Sequence, residues 1–269
     1  MKSDHIGDLS PVAHFEMIIG KNILNDNDIA KGISIIEGLD DCSVIARRIP
    51  SDKSRVSNRL GITGAPGVGK STFMGAFLAL VDSTKLRIAV IAVDPSSHRT
   101  RGAILADRVR LKNSSVFDQI FFRSMATRGA YGGLVKNIEV IINFLEFAGF
   151  DLIVIETVGV GQNEVEINSK VDFVIHILDS NVGDEIQIEK AGIMEIGDVF
   201  FVNKEDRGIN VNYLSAIKRS LDYQNQFQDE DKMVIVGSAL EMRGLTDVID
   251  FLNMKLDQKL PFRGVANLE

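Results

Sequence analysis

The run Gly64-Ala65-Pro66-Gly67-Val68-Gly69-Lys70-Ser71 stands between an apolar stretch, Leu60 to Thr63, and a helix-like stretch, Thr72-Phe73-Met74-Gly75-Ala76-Phe77-Leu78. A strand that ends in a glycine-rich turn and opens a helix leaves few folds available. The glycines let the backbone curl so that successive N–H groups face inward, at the positive end of the helix that follows, which makes a nest for an anion. The chain is therefore expected to bind a nucleoside triphosphate. Lys70 is expected to reach the β- and γ-phosphates and the Ser71 hydroxyl to ligate magnesium. Gly64, Ala65, Pro66, Gly67, Val68, Gly69 and Thr72 complete the expected cradle.

From Leu60 onward, short β-rich runs alternate with helical segments. The runs are Leu60 to Thr63, Arg87 to Val93, Ile120 to Arg123, Leu152 to Glu156, Phe173 to Leu178, Val199 to Asn203 and Met233 to Val236. Several are nearly all apolar, as strands buried on both faces are. The expected fold class is α/β: a mostly parallel sheet wrapped by helices, with ligand loops at the carboxyl ends of its strands. Ahead of the phosphate loop, Asp26 or Asn27 is expected to cap a helix carrying Ile29, Ile33 and Ile36 and ending at Gly38. Residues 1–57 then form a helical lead-in, 58–250 the nucleotide domain and 251–269 a short C-terminal tail. The polar stretch Tyr223 to Asp231 reads as a surface connection.

Composition narrows the functions. The chain has 269 residues, 45% apolar and 25% charged, which is ordinary for a globular protein. Its net charge of −7 lacks the basic footprint of a protein that embraces a nucleic-acid backbone. Cys42 is the single cysteine, and His5, His14, His98 and His176 show no zinc spacing, so a reducing cytoplasm is expected. No apolar stretch approaches the roughly 20 residues that span a bilayer, so no membrane partner is expected. Cys42 and the cluster Phe144, Leu145 and Phe147 read as packing residues.

Asn203-Lys204-Glu205-Asp206 follows the strand Val199 to Val202 and resembles the guanine-specificity motif of GTPases. The Asp206 carboxylate can accept hydrogen bonds from guanine N1–H and the exocyclic amine, whereas adenine offers no matching donors and would leave the acid unpaired. Asn203 is expected to fasten neighbouring loops and the Lys204 stem to lie over the base. Ser238-Ala239-Leu240, after Val234-Ile235-Val236, resembles the element whose backbone N–H meets guanine O6. Asp94 and Glu156 end two apolar runs, where carboxylates can hold magnesium or its waters. Gly159, in Glu156-Thr157-Val158-Gly159, is free to turn its N–H toward a γ-phosphate.

With Ala92 to Ser97, Arg123 to Gly129, Gly132-Gly133-Leu134, Glu156 to Gln162, Gly183 to Gln187 and Ala191 to Ile196, these motifs resemble the MeaB/ArgK family of P-loop GTPases. The likeness covers roughly residues 15 to 250. It implies a GTP-dependent chaperone that regulates cofactor loading and protection of an adenosylcobalamin-dependent acyl-CoA mutase, chiefly of the methylmalonyl-CoA type. It implies kinship with signal-recognition and nickel-insertion GTPases, and a homodimer. It also places Lys70, Asp94, Asp107 and Glu156 around the phosphates and magnesium, and Asp184, Gln187 and Lys190 in a client-coupling loop. Family chains build their dimer with a helical C-terminal arm, and here little follows Leu260, which leaves an arm-built dimer open. Two other readings stand beside it: a metallochaperone GTPase, whose marker would be Cys and His clusters, and a kinase or ATPase linked to basic amino-acid transport, which conflicts with the Asn203 to Asp206 element.

Overall fold

Seven apolar runs form one sheet, and every pairing in it is parallel, in the order β3-β2-β4-β1-β5-β6-β7. The strands are β1 Asn58–Thr63, β2 Ile88–Asp94, β3 Ile120–Ala126, β4 Leu152–Glu156, β5 Phe173–Asp179, β6 Val199–Asn203 and β7 Met233–Val236. The computed structural model describes residues 10–50, 57–94, 120–126, 137–157, 167–181, 193–228, 231–256 and 259–262. Among these the helices are α1 Pro11–Ile19, α2 Asp26–Gly38, α3 Ser43–Ala46, α4 Lys70–Leu80, α5 Ile138–Phe147, α6 Ile193–Ile196, α7 Val211–Gln228 and α8 Leu245–Lys255.

Alternate residues of each strand serve opposite layers, because side chains in a strand point to opposite faces in turn. Leu60, Ile62, Val90, Val154, Ile175 and Phe201 face α4 and α8, where they meet Phe73, Phe77, Leu78, Ile249 and Leu252. Ala89, Ile91, Ile153, Ile155 and Val174 face the other way, against α1, α2 and α5 with Phe15, Ile33, Phe144 and Leu145. Phe200 and Val202 of β6 meet α7 through Tyr213, Ile217 and Leu221. Both faces are covered, which is why the strands read as continuous apolar runs. Phe73, Phe77, Phe200 and Phe201 are fully buried, each contributing about 1.5–3 kcal/mol by leaving water. Phe251, Leu252 and Leu256 belong to the same layer as α4.

Two local readings need correction. The stretch from Tyr223 is not a connection, since α7 runs on to Gln228. Leu221 is buried and Tyr223 is exposed, while Asn225 pairs its amide with both backbone groups of Lys232 at 3.0 Å. The cap of α2 is Asn25, not Asp26 or Asn27. Its Oδ1 accepts from Asp28 N at 3.0 Å and its own N donates back to Asp28 Oδ2 at 3.4 Å, a reciprocal box one residue ahead of the expected cap. Cys42 is buried and Phe144 and Leu145 have no exposed surface, so all three pack as expected.

Candidate functional site

β1 lies between β4 and β5, so the chain crosses to opposite sides of β1 and opens a crevice beyond the carboxyl ends of the strands. The phosphate loop leaves β1 at that point. Gly64 takes a φ of 137°, and a Cβ there would lie 2.3 Å from the Ile177 carbonyl oxygen. Gly69 has a φ of 101°, and a Cβ would meet the Asn203 amide nitrogen at 2.5 Å. Only glycine permits either approach. α4 begins at Lys70, so the loop's amides and the helix N-terminus share one concavity.

Lys70 is buried, and its Nζ donates to the Gly64 carbonyl at 2.7 Å and the Ala65 carbonyl at 3.0 Å. Ser71 Oγ donates to Glu156 Oε1 at 3.1 Å, joining the first turn of α4 to the end of β4. Ala65, Pro66, Gly67 and Thr72 are exposed, while Val68 is buried beneath the loop. Asp94 closes β2, with its side chain outside the described residues, as are Gly159, Asp107, Asp184, Gln187, Lys190, His98 and Arg128.

Asn203 ties three turns together. Its Nδ2 donates to Val68 O at 2.9 Å in the phosphate loop, and its Oδ1 accepts from Ala239 N at 2.8 Å in the turn after β7. Lys204 takes a left-handed φ of 67°, and its Nζ donates to Gly67 O at 2.6 Å and Asp179 Oδ2 at 2.7 Å. A hydrogen bond from Ser238 is the main cause holding the Asp206 carboxyl below the usual aspartate range, against some desolvation and with help from Arg207 and Arg243. Asp206 is thus an ionised acceptor at neutral pH. Glu205 N donates to Gly237 O at 3.1 Å, and the Arg243 guanidinium reaches Glu205 Oε1 at 2.5 Å, which closes the base turn against the turn after β7. Leu240 is 72% exposed, so of the expected Ser238-Ala239-Leu240 trio the Ser238 side chain and the backbone of Ala239 are the parts woven into the site.

Arg123 points away from this crevice, donating to Ser34 Oγ at 2.9 Å and Glu37 Oε2 at 2.6 Å on α2. It lines a groove of about 840 Å³ between α1 and α2, together with His14, Met17, Lys21, Lys31 and Ile35, none of them from the phosphate loop or base turn. Sequence reasoning missed Asp179, which shares the base turn. It ends an apolar strand, as Asp94 and Glu156 do, and that signal could have singled it out.

The glycine-rich loop, the Ser71–Glu156 pair and the turn that Asn203 fastens to Val68 and Ala239 lie together at the carboxyl edge of a parallel sheet. The model of the family described as methylmalonyl Co-A mutase-associated GTPase MeaB matches residues 38–259. The chain belongs to the MeaB family. The GTPase ArgK of Escherichia coli K12 is 39% identical over 201 residues, covering 72% of this chain and 61% of that protein. A Pyrococcus horikoshii relative is 45% identical over 168 residues, 62% of this chain and 53% of its own. The mitochondrial methylmalonic aciduria type A homolog of Caenorhabditis elegans is 38% identical over 168 residues, 60% of this chain and 42% of its own. The chain therefore spans roughly two fifths to three fifths of these relatives. Among solved structures, a LAO/AO transport system kinase superposes with a TM-score of 0.55 at 24% identity over 90% of this chain and 68% of its own. HypB from Helicobacter pylori in complex with nickel gives 0.54 at 19% identity over 74% of this chain and 86% of its own. Both support the P-loop fold.

Proposed function

We propose that this chain binds GTP across the phosphate loop and the base turn and hydrolyses it to GDP and phosphate. In this reading the nucleotide cycle regulates cofactor loading and protection of an adenosylcobalamin-dependent acyl-CoA mutase of the methylmalonyl-CoA type. The observation that carries the nucleotide reading is the Asn203 bridge between Val68 and Ala239, which sets the Asp206 carboxylate on the same turn as the phosphate loop's fastening. Asp206 accepts from guanine N1–H and the exocyclic amine, and the Ala239 region presents backbone N–H to O6. Adenine offers that acid no donor from the matching edge.

Lys70 exchanges the Gly64 and Ala65 carbonyls for β- and γ-phosphate oxygens, and Gly159 offers its N–H to the γ-phosphate. Magnesium suits the donor chemistry, because the Ser71 hydroxyl and the Glu156 carboxylate are hard oxygen donors already held together. Ser71 and Glu156 would hold it, with Asp94 and Asp107 completing the acidic shell. The ion would neutralise charge developing on the transferred phosphoryl group. Water then attacks the γ-phosphorus as the bond to the β-phosphate oxygen breaks; GDP leaves with that electron pair, and the water's protons stay with the released phosphate.

The mutase role is supported by the family's description and by the methylmalonic aciduria homolog among the relatives. Such a role makes the client's affinity depend on which nucleotide is bound. A second copy of the chain is a further proposed partner, and the cytoplasm the proposed location. No helix among the described residues is long and apolar enough to cross a membrane. Metal insertion and amino-acid transport draw only on fold likeness at 19% and 24% identity.

Calorimetry with magnesium tests the nucleotide reading. GDP is expected to bind and ADP to give no heat at the same concentration. Asp206→Asn should weaken GDP at least about tenfold, about 1.4 kcal/mol, and transfer the preference to xanthosine diphosphate. Unchanged GDP affinity in that variant would remove Asp206 from the base.

A further inference from the structure

Asp179 ends β5 and lies in register with Asn203 of β6, so the two residues stand side by side at the carboxyl edge. Its Oδ2 accepts from Lys204 Nζ at 2.7 Å, while its Oδ1 accepts from Asn181 N at 3.0 Å. The same ammonium donates to Gly67 O at 2.6 Å, so one lysine links the end of β5 to the phosphate loop. The pair is largely out of water, with Lys204 at 22% and Asp179 at 13% side-chain exposure. A pair so placed is favourable only when its remaining hydrogen bonds are satisfied, and here they are.

The next two residues extend the clasp. Ser180 is fully buried, its hydroxyl 2.9 Å from Lys204 O and 2.8 Å from Gly208 O, and its N donates to Asn203 O at 2.9 Å. Asn181 Nδ2 donates to Arg207 O at 3.2 Å. Asp179-Ser180-Asn181 therefore grips the base turn from Asn203 to Gly208 along its length.

We propose that Asp179 is a positioning residue for purine recognition: it holds Lys204 so that the lysine stem covers one face of the base while the ammonium locks the phosphate loop at Gly67. The proposal rests on the reading that this turn takes a guanine nucleotide. Without the carboxylate, the ammonium keeps the Gly67 carbonyl alone, and a four-carbon stem regains the rotamers it gave up. The acid works on the lysine and leaves the base edge to Asp206. It therefore sets how tightly any purine is held, and not which purine is chosen.

The test is a double-mutant cycle in calorimetry, with GDP and with inosine diphosphate, which lacks the exocyclic amine. Asp179→Asn keeps the shape and removes the charge. It is expected to weaken both ligands by the same factor, about tenfold, with the melting temperature of the free protein held. In a Lys204→Met background the same substitution should change either affinity less than about twofold, because the group it acts through is gone. Should Asp179→Asn not fold, Asp179→Ser is read in the same way. Wild-type affinity in the single variant, the same loss with and without Lys204, or a loss confined to GDP would each overturn the proposal. Wild-type protein silent to both GDP and GTP would overturn the guanine reading, and this proposal with it.

Discussion

His176 departs furthest from its behaviour in water. It lies on β5 beside Thr63 of β1, 1% exposed, with the Phe200 ring 6.0 Å away and its Nδ1 buried without a hydrogen-bond partner. Burial first, and the nearby Lys70 charge second, bring its pKa down to about 4. The unfolded chain titrates near the ordinary value of 6.5 and takes up the proton first as pH falls. Stability is therefore unaffected by His176 above that value and declines between 6.5 and about 4, by about 2 kcal/mol from pH 7 to pH 5. Urea unfolding at those two pH values should show His176→Leu losing about that much less than wild type. An identical pH slope in both proteins would mean that His176 is solvated in the fold. The sequence showed a histidine inside an apolar run, but not that β1 and β6 would flank it and leave one nitrogen unpaired. Contiguous motifs were easier to single out: Lys70, Ser71, Asn203 and Asp206 stand in short recognisable patterns, although Ser71 and Asn203 find their partners far along the chain. Asp179 was not, since its role depends on the register of β5 against β6.

Strands were the most legible elements. β4, β6 and β7 have the bounds their apolar runs suggested, and the other four extend those runs by one to three residues at one end or shift by one. Double-sided burial writes itself into consecutive residues, whereas helix ends depend on single polar contacts. α7 shows the limit: Tyr223-Gln224-Asn225-Gln226 carries no apolar periodicity, and the stretch was read as a loop although the helix runs through it. The start of α2 shows the other, for Asn25, Asp26, Asn27 and Asp28 can all cap and only the reciprocal bond between Asn25 and Asp28 decides. Lys21 strengthens the choice by donating to Asp28 at 2.5 Å. Asn25→Ala should cost about 1 kcal/mol in urea unfolding. GDP affinity should stay as it was, since α2 packs on α1 and α5, on the face of the sheet opposite α4. A GDP affinity that fell with stability would show that the helical lead-in is coupled to the nucleotide crevice.

At the scale of the whole molecule, the parallel sheet brings to one edge groups that lie far apart along the chain. Ser71 meets Glu156 from β4, and Val68 meets Ala239 from beyond β7 through Asn203. In the proposed reading a nucleotide seated there would touch turns from both halves of the sheet, so gain or loss of its γ-phosphate would alter contacts on the β4 side while the base stayed anchored on the β6 side. That asymmetry is what a switch requires, because a ligand shifts a conformational equilibrium only by its differential affinity for the two states. If the proposed mutase reads the switch, its affinity for this protein must differ between the GTP-analogue and GDP forms. Couplings of the usual size, about 1–3 kcal/mol, correspond to factors of about 5–150. Fluorescence anisotropy with a labelled adenosylcobalamin-dependent acyl-CoA mutase should therefore give dissociation constants at least about fivefold apart in the two nucleotide states. GTP turnover should rise when the mutase is added. Equal affinities in both states, with turnover unmoved by every cobalamin mutase of the source cell, would leave the nucleotide site standing and remove the client from it.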